Sequence, residues 1–459
     1  MTMSKAKSLS VAALIASAAV FSRGAAAAEP VAGADAAAKQ VESKKDEGWI
    51  RLRQSKSREL RLQVASREFV PRDTGDANEA KGPTIRLVSA VHVADKAFYD
   101  ELQKELDATD LVLFEGVGPP GLGTNPPKGD AARAVRTKNR LSIVAALIER
   151  EKKDHGKVPA SLEELEKALA NKPTKSKWLA IARKDGWRHE LVYTPSPELD
   201  SYTLQSYGAD GRPGGDGANA DIVSDPDELA RWKEEGIQKH IADAFGLTFQ
   251  SDGITTDGPN WRNSDLGMDE VSRRLGGNPD SEAGSEEQSP SILSMLNPDS
   301  AMAKIGSGVL SLVKMMPGGA DRGKLMMMLI LPQSEGLMKG GGAAFGAMGE
   351  AFDMARTMKV IVEDRNQKVM DDLAEIVEEA KDRPGKAPKT IAVFYGGGHM
   401  PDLEERLCDQ LGYRRAGETW HNAVRLDLVK AKIDDEEVRM IGRMMREQFE
   451  MLQGMSSAK

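Results

Sequence analysis

Three apolar runs in this chain each end on a residue able to do chemistry. Residues 85–91 read Ile-Arg-Leu-Val-Ser-Ala-Val and stop at His92, 111–114 read Leu-Val-Leu-Phe and stop at Glu115, and 390–398 read Thr-Ile-Ala-Val-Phe-Tyr-Gly-Gly-Gly and stop at His399. Short apolar runs bounded by turn residues predict buried strands. Between the first two runs, Phe98, Leu102 and Leu106 recur at helical spacing, which predicts a helix with one apolar face. Ahead of them, 59–64 alternates polar and apolar residues, the pattern of a half-buried strand. The β–β–α–β order predicts an α/β (α+β) fold with a central mixed sheet flanked by helices. If the three runs are parallel neighbours, their carboxyl ends share one edge, where open α/β sheets collect ligands. His92, Glu115 and His399 then meet in one cleft.

The rhythm breaks at Pro119-Pro-Gly-Leu-Gly-Thr-Asn-Pro-Pro127. From there an inserted segment is expected over 125–232. It has a helix over 134–152 and a second helix opened by the capping box Ser161-Leu-Glu-Glu. The α/β pattern spans 47–122 and resumes over 240–430, with 276–290 as a flexible acidic loop and 431–459 as a terminal amphipathic helix. The Met-rich run 325–331 ends at Pro332. It is shorter than the roughly 20 residues of a membrane span, so a buried helix or groove wall is expected. No internal repeat is found.

Composition narrows the function. The 459 residues are 40% hydrophobic and 29% charged with a net charge of −8, which gives no basic face for nucleic acid. The first 28 residues read as a secretory signal: Lys5 and Lys7, an apolar stretch from Leu9 to Phe21, then small residues to Ala28. Residues 29–46 read as a linker. The expected protein is therefore exported, periplasmic or secreted, with no transmembrane span in the mature chain. Cys408 is the single cysteine, which excludes an intramolecular disulfide, and its helical neighbours Leu403, Leu407 and Leu411 predict a buried, inert thiol. Serine hydrolysis lacks a Gly-x-Ser-x-Gly elbow.

Two imidazoles and a carboxylate are the usual ligands of zinc, manganese, iron or cobalt. Three protein ligands leave a coordination position open for water, as in hydrolytic sites. The plainer alternative is that both histidines cap strand ends through hydrogen bonds.

Ser89-Ala-Val-His92, Leu111-Val-Leu-Phe-Glu115-Gly-Val and Tyr395-Gly-Gly-Gly-His399-Met-Pro-Asp-Leu, taken in that order, resemble the TraB/GumN/Tiki family, whose signature is two Gly-x-x-His motifs with a glutamate between them. Glu363-Asp-Arg365-Asn366 and the segment from Gly412 through Trp420 to Ala423 resemble its internal and closing stretches. The resemblance implies an α/β fold and, from the Tiki members, divalent-metal proteolysis. It passes metal ligation to His92, Glu115 and His399, with Glu115 also catalytic. Arg365 and Tyr395 become contacts to substrate or transition state, although a plain salt-bridge role for Arg365 is equally consistent. The first motif departs from the family: Ser89 stands where glycine is expected, which puts activity in doubt and leaves the fold intact.

The insert carries Ser206-Tyr-Gly-Ala-Asp210-Gly-Arg-Pro-Gly-Gly-Asp216-Gly-Ala-Asn219-Ala-Asp221. Asp and Asn separated by Gly let a loop curl around a hard cation. A solvated turn is the other reading. With Asp154-His-Gly-Lys-Val-Pro159 and Asp185-Gly-Trp187, the segment resembles the globular part of the type II secretion major pseudopilin GspG. That resemblance implies calcium at Asp210 and Asp221, with Asp216 and Asn219 completing the set. Yet the helix at 134–152 is charged and has no apolar run before it, unlike the leader helix of a pseudopilin.

Two functions follow. One is an exported metal-dependent hydrolase, of which a peptidase acting on peptide or protein is one form, with a calcium-bearing insert that serves as a lid or docking module. The other is a non-enzymatic periplasmic binding or assembly protein related to type II secretion pseudopilins.

Overall fold

The computed structural model describes residues 48–72, 82–123, 127–196, 198, 200–225, 242–278, 318–339, 359–382, 387–443 and 447. The expected signal segment and linker, residues 279–290 of the acidic loop and much of the Met- and Gly-rich stretch lie outside them. The described residues divide into two units. One comprises 48–115, 242–255 and 318 onward, and the other comprises 116–225 and 256–278.

The first unit is a mixed sheet with helices. Its elements are β1 (Ile50–Gln54), β2 (Glu59–Pro71), β3 (Thr84–Ala90), α1 (Lys96–Asp107), β4 (Leu111–Phe114), α2 (Gly319–Lys339), α3 (Arg365–Asp382), β5 (Thr390–Gly396), α4 (Met400–Gln410) and β6 (Tyr413–Asp427). The strand order is β6–β2–β3–β5–β4, with β5 parallel to both β3 and β4 and β2 antiparallel to β3 and β6. One edge of β2 takes the whole of β6, while the other is divided between β1 and β3.

Register explains the shared edge. Gly396 lies opposite Ala90, and Phe394 lies opposite Phe114. The three expected runs therefore end side by side. Side chains alternate across a strand, so Ile85, Leu87, Leu113, Ile391 and Val393 fall on one face. That face is covered by Val369, Leu373 and Ile376 of α3 and Leu403 and Leu407 of α4. Phe98, Leu102 and Leu106 are buried on α1, as their spacing predicts.

The sequence patterns ran short in three places. The strand expected over 59–64 continues to Pro71. The closing segment forms β6, a strand of 15 residues whose register shifts at Arg415/Gly417 and Asn422/Val424 break its alternation. Pro332 does not end its helix: α2 runs through it to Lys339, with Leu325, Met328 and Ile330 buried. Proline removes one backbone donor, and burial of the preceding turns outweighs that loss. Among the described residues no helix is long and apolar enough to cross a membrane.

The second unit is built on the helix Asp130–His155, which ends at Gly156 in the left-handed conformation (φ 77°). The helix Leu162–Ala168 starts as expected, with Ser161 Oγ accepting the Glu164 N–H. The helix Pro173–Ala182 and an antiparallel sheet of Val192–Ser196, Ser201–Ser206 and Ile222–Val223 complete it. Leu141, Val144, Ile148, Leu165, Leu179 and Leu204 form its core. Gly186 lies so close to the helix that a Cβ there would stand 2.2 Å from the Arg133 carbonyl oxygen. The loop 116–123 is pinned by Asp269, whose carboxylate accepts the Gly121 and Gly123 N–H groups.

Candidate functional site

The carboxyl edge of β3, β5 and β4 gathers a buried charged cluster. Glu115 directly follows β4, and its backbone N–H continues the ladder to Phe394 O at 2.9 Å. One carboxylate oxygen, Oε2, accepts the Gly396 N–H at 2.6 Å, and the other, Oε1, accepts from Arg365 Nη2 at 2.8 Å. The same Oε1 lies 3.7 Å from His399 Nε2, too long for a hydrogen bond. Arg365 is only 1% exposed and His399 0%.

Asn366 fixes the His399 ring. Its Nδ2 donates to Asp402 Oδ2 at 2.7 Å and to the His399 carbonyl at 3.2 Å, which leaves its Oδ1 as acceptor 2.7 Å from His399 Nδ1. On that assignment Nδ1 carries a proton, and Nε2 faces Glu115. Tyr395 packs into the apolar core, and its ring meets the His399 ring edge-on at 5.3 Å.

Charge states follow from these surroundings. Burial raises the Glu115 pKa, but Arg365, His399, His92 and the Gly396 N–H together outweigh it and hold the group down to about 2. Burial lowers the pKa of His92, and Arg365 adds to the drop, against opposing terms from Glu115 and Gln250. Glu115 is thus a carboxylate, and burial pushes His92 toward the neutral imidazole; these are the forms that bind metals.

Glu115 and His399 also fit a divalent cation in spacing. Two ligands bonded to one tetrahedral zinc at about 2.0–2.2 Å stand about 3.3–3.6 Å apart, close to the 3.7 Å seen here. The locked Nδ1–H of His399 is the outer support that metal-binding histidines need. His92 is coupled to Glu115 electrostatically. Among the described residues, however, no three His, Cys, Asp or Glu side chains are drawn into one metal-binding group.

Ser89, the departure in the first motif, is buried at the end of β3 opposite Tyr395. A Cβ on Gly397 would stand 2.9 Å from its Oγ. The serine is accommodated because the turn opposite is glycine.

The acidic loop of the second unit is open by contrast. Asp210, Asp216, Asn219 and Asp221 are all exposed. Asp210 Oδ1 accepts the Arg212 N–H, and both Asp221 oxygens accept the Gly214 N–H. Gly208 (φ 64°) packs on the far side of this loop, where a Cβ would meet the Ala218 and Ala220 carbonyl oxygens. The inward-facing carboxylate nearby is Asp185, which accepts from Ser206 Oγ and from the Trp187 and His189 N–H groups and so holds the loop's base.

Other singled-out residues serve locally. Cys408 is half-buried against the core, and burial raises its pKa, leaving an inert thiol. His155 pairs with Glu151 on the surface. His421 is buried on β6, with Nε2 3.0 Å from Ser66 Oγ and Nδ1 3.5 Å from Glu101. Asn366 was quoted in the sequence motif but given no role there. Its position beside Arg365 was the available signal.

Residues 127–225 match the family Type II secretion system (T2SS), protein G. A curated relative, the type II secretion system core protein G of Xanthomonas campestris pv. campestris, is 31% identical over 98 residues. That stretch is 20% of this chain and 66% of the relative, so the chain spans just under two thirds of the protein it matches. No solved structure gives a significant match.

Proposed function

We propose that this is an exported hydrolase of the TraB/GumN/Tiki kind whose second unit is a pseudopilin-type docking module. The observation that carries the reading is the close approach of Glu115 and His399, 3.7 Å apart, at the carboxyl edge of three parallel strands. Perturbed, buried ionisable groups at such an edge mark functional sites. His399, Glu115 and His92 would hold a divalent transition metal such as manganese, cobalt, zinc or iron. When bound, that ion would supply an acidified water and polarise a carbonyl. The chain's own residues prepare the place: Asn366 holds the His399 ring through Nδ1, Gly396 orients the carboxylate, and burial pushes His92 toward its neutral form. Arg365, paired with Glu115, would stabilise negative charge on a substrate once an ion takes over that carboxylate. A peptide or protein is the expected substrate.

In the second unit we propose that Asp210, Asp216, Asn219 and Asp221, together with loop carbonyls, take calcium. A second reading drops the enzyme and keeps an exported assembly protein, favoured by the pseudopilin match to residues 127–225. Elemental analysis separates the two. About one transition-metal ion per chain, absent from the His92→Ala/His399→Ala variant and accompanied by peptide hydrolysis that Glu115→Ala abolishes, is expected of the hydrolase. Calcium alone, unchanged in that variant, overturns the hydrolase in favour of the assembly protein.

A further inference from the structure

The oxygen of Glu115 that faces His399 is already engaged by a cation. Oε1 lies 2.8 Å from Arg365 Nη2 and 3.7 Å from His399 Nε2, while Oε2 is held by the Gly396 N–H. A carboxylate this deeply buried needs a positive partner in every state of the protein, because an isolated buried charge is strongly unfavourable. We propose that the Arg365 guanidinium is the resident counter-charge of the cation site. It neutralises Glu115 when no ion is bound, and an arriving divalent ion must displace it or share Glu115 with it.

This inference rests on the reading of Glu115 and His399 as metal ligands, and adds that the chain carries an internal competitor. An ion bonded to Oε1 would stand within about 5 Å of the guanidinium. Two positive groups at that separation in a poorly solvated site repel strongly.

The backbone suits such a displacement. Arg365 opens α3 immediately after a π-helical segment, Lys359–Asp364, and π segments recur where helices are re-aimed at functional sites. The guanidinium also reaches back to Ile361 O at 3.4 Å, inside that segment. Arg365 therefore sets how tightly, and at what divalent concentration, the site loads.

The test is titration of the full-length protein with manganese(II) and zinc(II), followed by calorimetry and by thermal unfolding. Arg365→Gln removes the competitor and leaves Glu115 without its partner. The metal-free variant is expected to unfold at a lower temperature than the wild type, with manganese or zinc restoring it. Its affinity should rise at least about tenfold. Tighter binding in the variant, with measurable binding in the wild type, supports both the counter-charge role and the metal reading. Binding confined to the variant keeps the counter-charge role and overturns metal loading of the native chain. Equal or weaker binding in the variant than in a wild type that binds overturns the counter-charge role, and binding to neither protein overturns the metal reading on which it rests. Should Arg365→Gln accumulate unfolded, its soluble yield with and without manganese becomes the readout, and a yield indifferent to metal sinks the idea. Arg365→Lys keeps the charge and should bind within about threefold of wild type. A tenfold gain there overturns the role of charge.

Discussion

The two candidate cation sites of this protein solve the same electrostatic problem in opposite ways. The cluster at Glu115 is buried and holds its own cation, Arg365. The loop from Asp210 to Asp221 is exposed, and its carboxylates rest on backbone N–H groups. Water screens the loop's charges, so it tolerates an ion-free state without a partner. The buried site has little such solvent, so its carboxylate keeps a positive partner. Occupancy of the loop is expected to change local order. Occupancy of the buried site is expected to exchange one cation for another.

The comparison breaks first at Glu115. Glu115→Ala leaves the Arg365 guanidinium buried without its carboxylate, and a loss of about 3–5 kcal/mol is expected from denaturant unfolding of the first unit. A loss below about 1 kcal/mol, the size of a surface pair, would remove the distinction between the two sites. Next is Gly186→Ala, which drives a Cβ to 2.2 Å from the Arg133 carbonyl oxygen. The backbone must shift, and about 3 kcal/mol should be lost from the second unit alone. If both units are weakened together, they do not unfold independently. Asp269→Ala strips the partner from the Gly121 and Gly123 N–H groups and should remove about 1–3 kcal/mol, read as faster proteolysis within 116–123.

Calcium sharpens the comparison further. At about 100 times its dissociation constant it should stabilise the second unit by about 2.7 kcal/mol, and Asp221→Ala should abolish the shift while leaving the first unit's melting unchanged. The smallest expected effect is at Asp110. Its carboxylate accepts the Lys389 and Thr390 N–H groups at the start of β5, and these bonds hold its pKa below the usual value. The contribution is therefore complete above about pH 4 and is lost as the pH falls through the lowered value. Asp110→Asn should flatten this acid limb slightly, and an unchanged profile would show the anchor to be inert.

Legibility in the sequence followed the range of the interactions. Three apolar runs revealed the strands β3, β4 and β5, and reading them as parallel neighbours placed their carboxyl ends on one edge. The Arg365–Glu115 bond was not legible: nothing local to either residue specifies a partner across the sheet edge. Asn366 escaped for the same reason, since its role depends on where His399 arrives. β6 was hidden by its two register shifts, and the turn at Gly397 shows how Ser89 can stand where glycine was expected. In the second unit, the capping box at Ser161 and the loop residues were readable because their bonds join near neighbours.

The placement of β5 has a consequence for how the protein comes into being. This strand is the last of the three to be synthesised, yet it lies between the other two. At about 5–20 residues per second, β3 and β4 wait on the order of 15–60 s for it. Until then each presents an unsatisfied edge in the middle of the sheet, the kind of surface that recruits stray strands. The nascent chain must be shielded through that interval, and the cluster at Glu115 cannot exist before it ends. Arrival of β5 is itself the event that assembles the site.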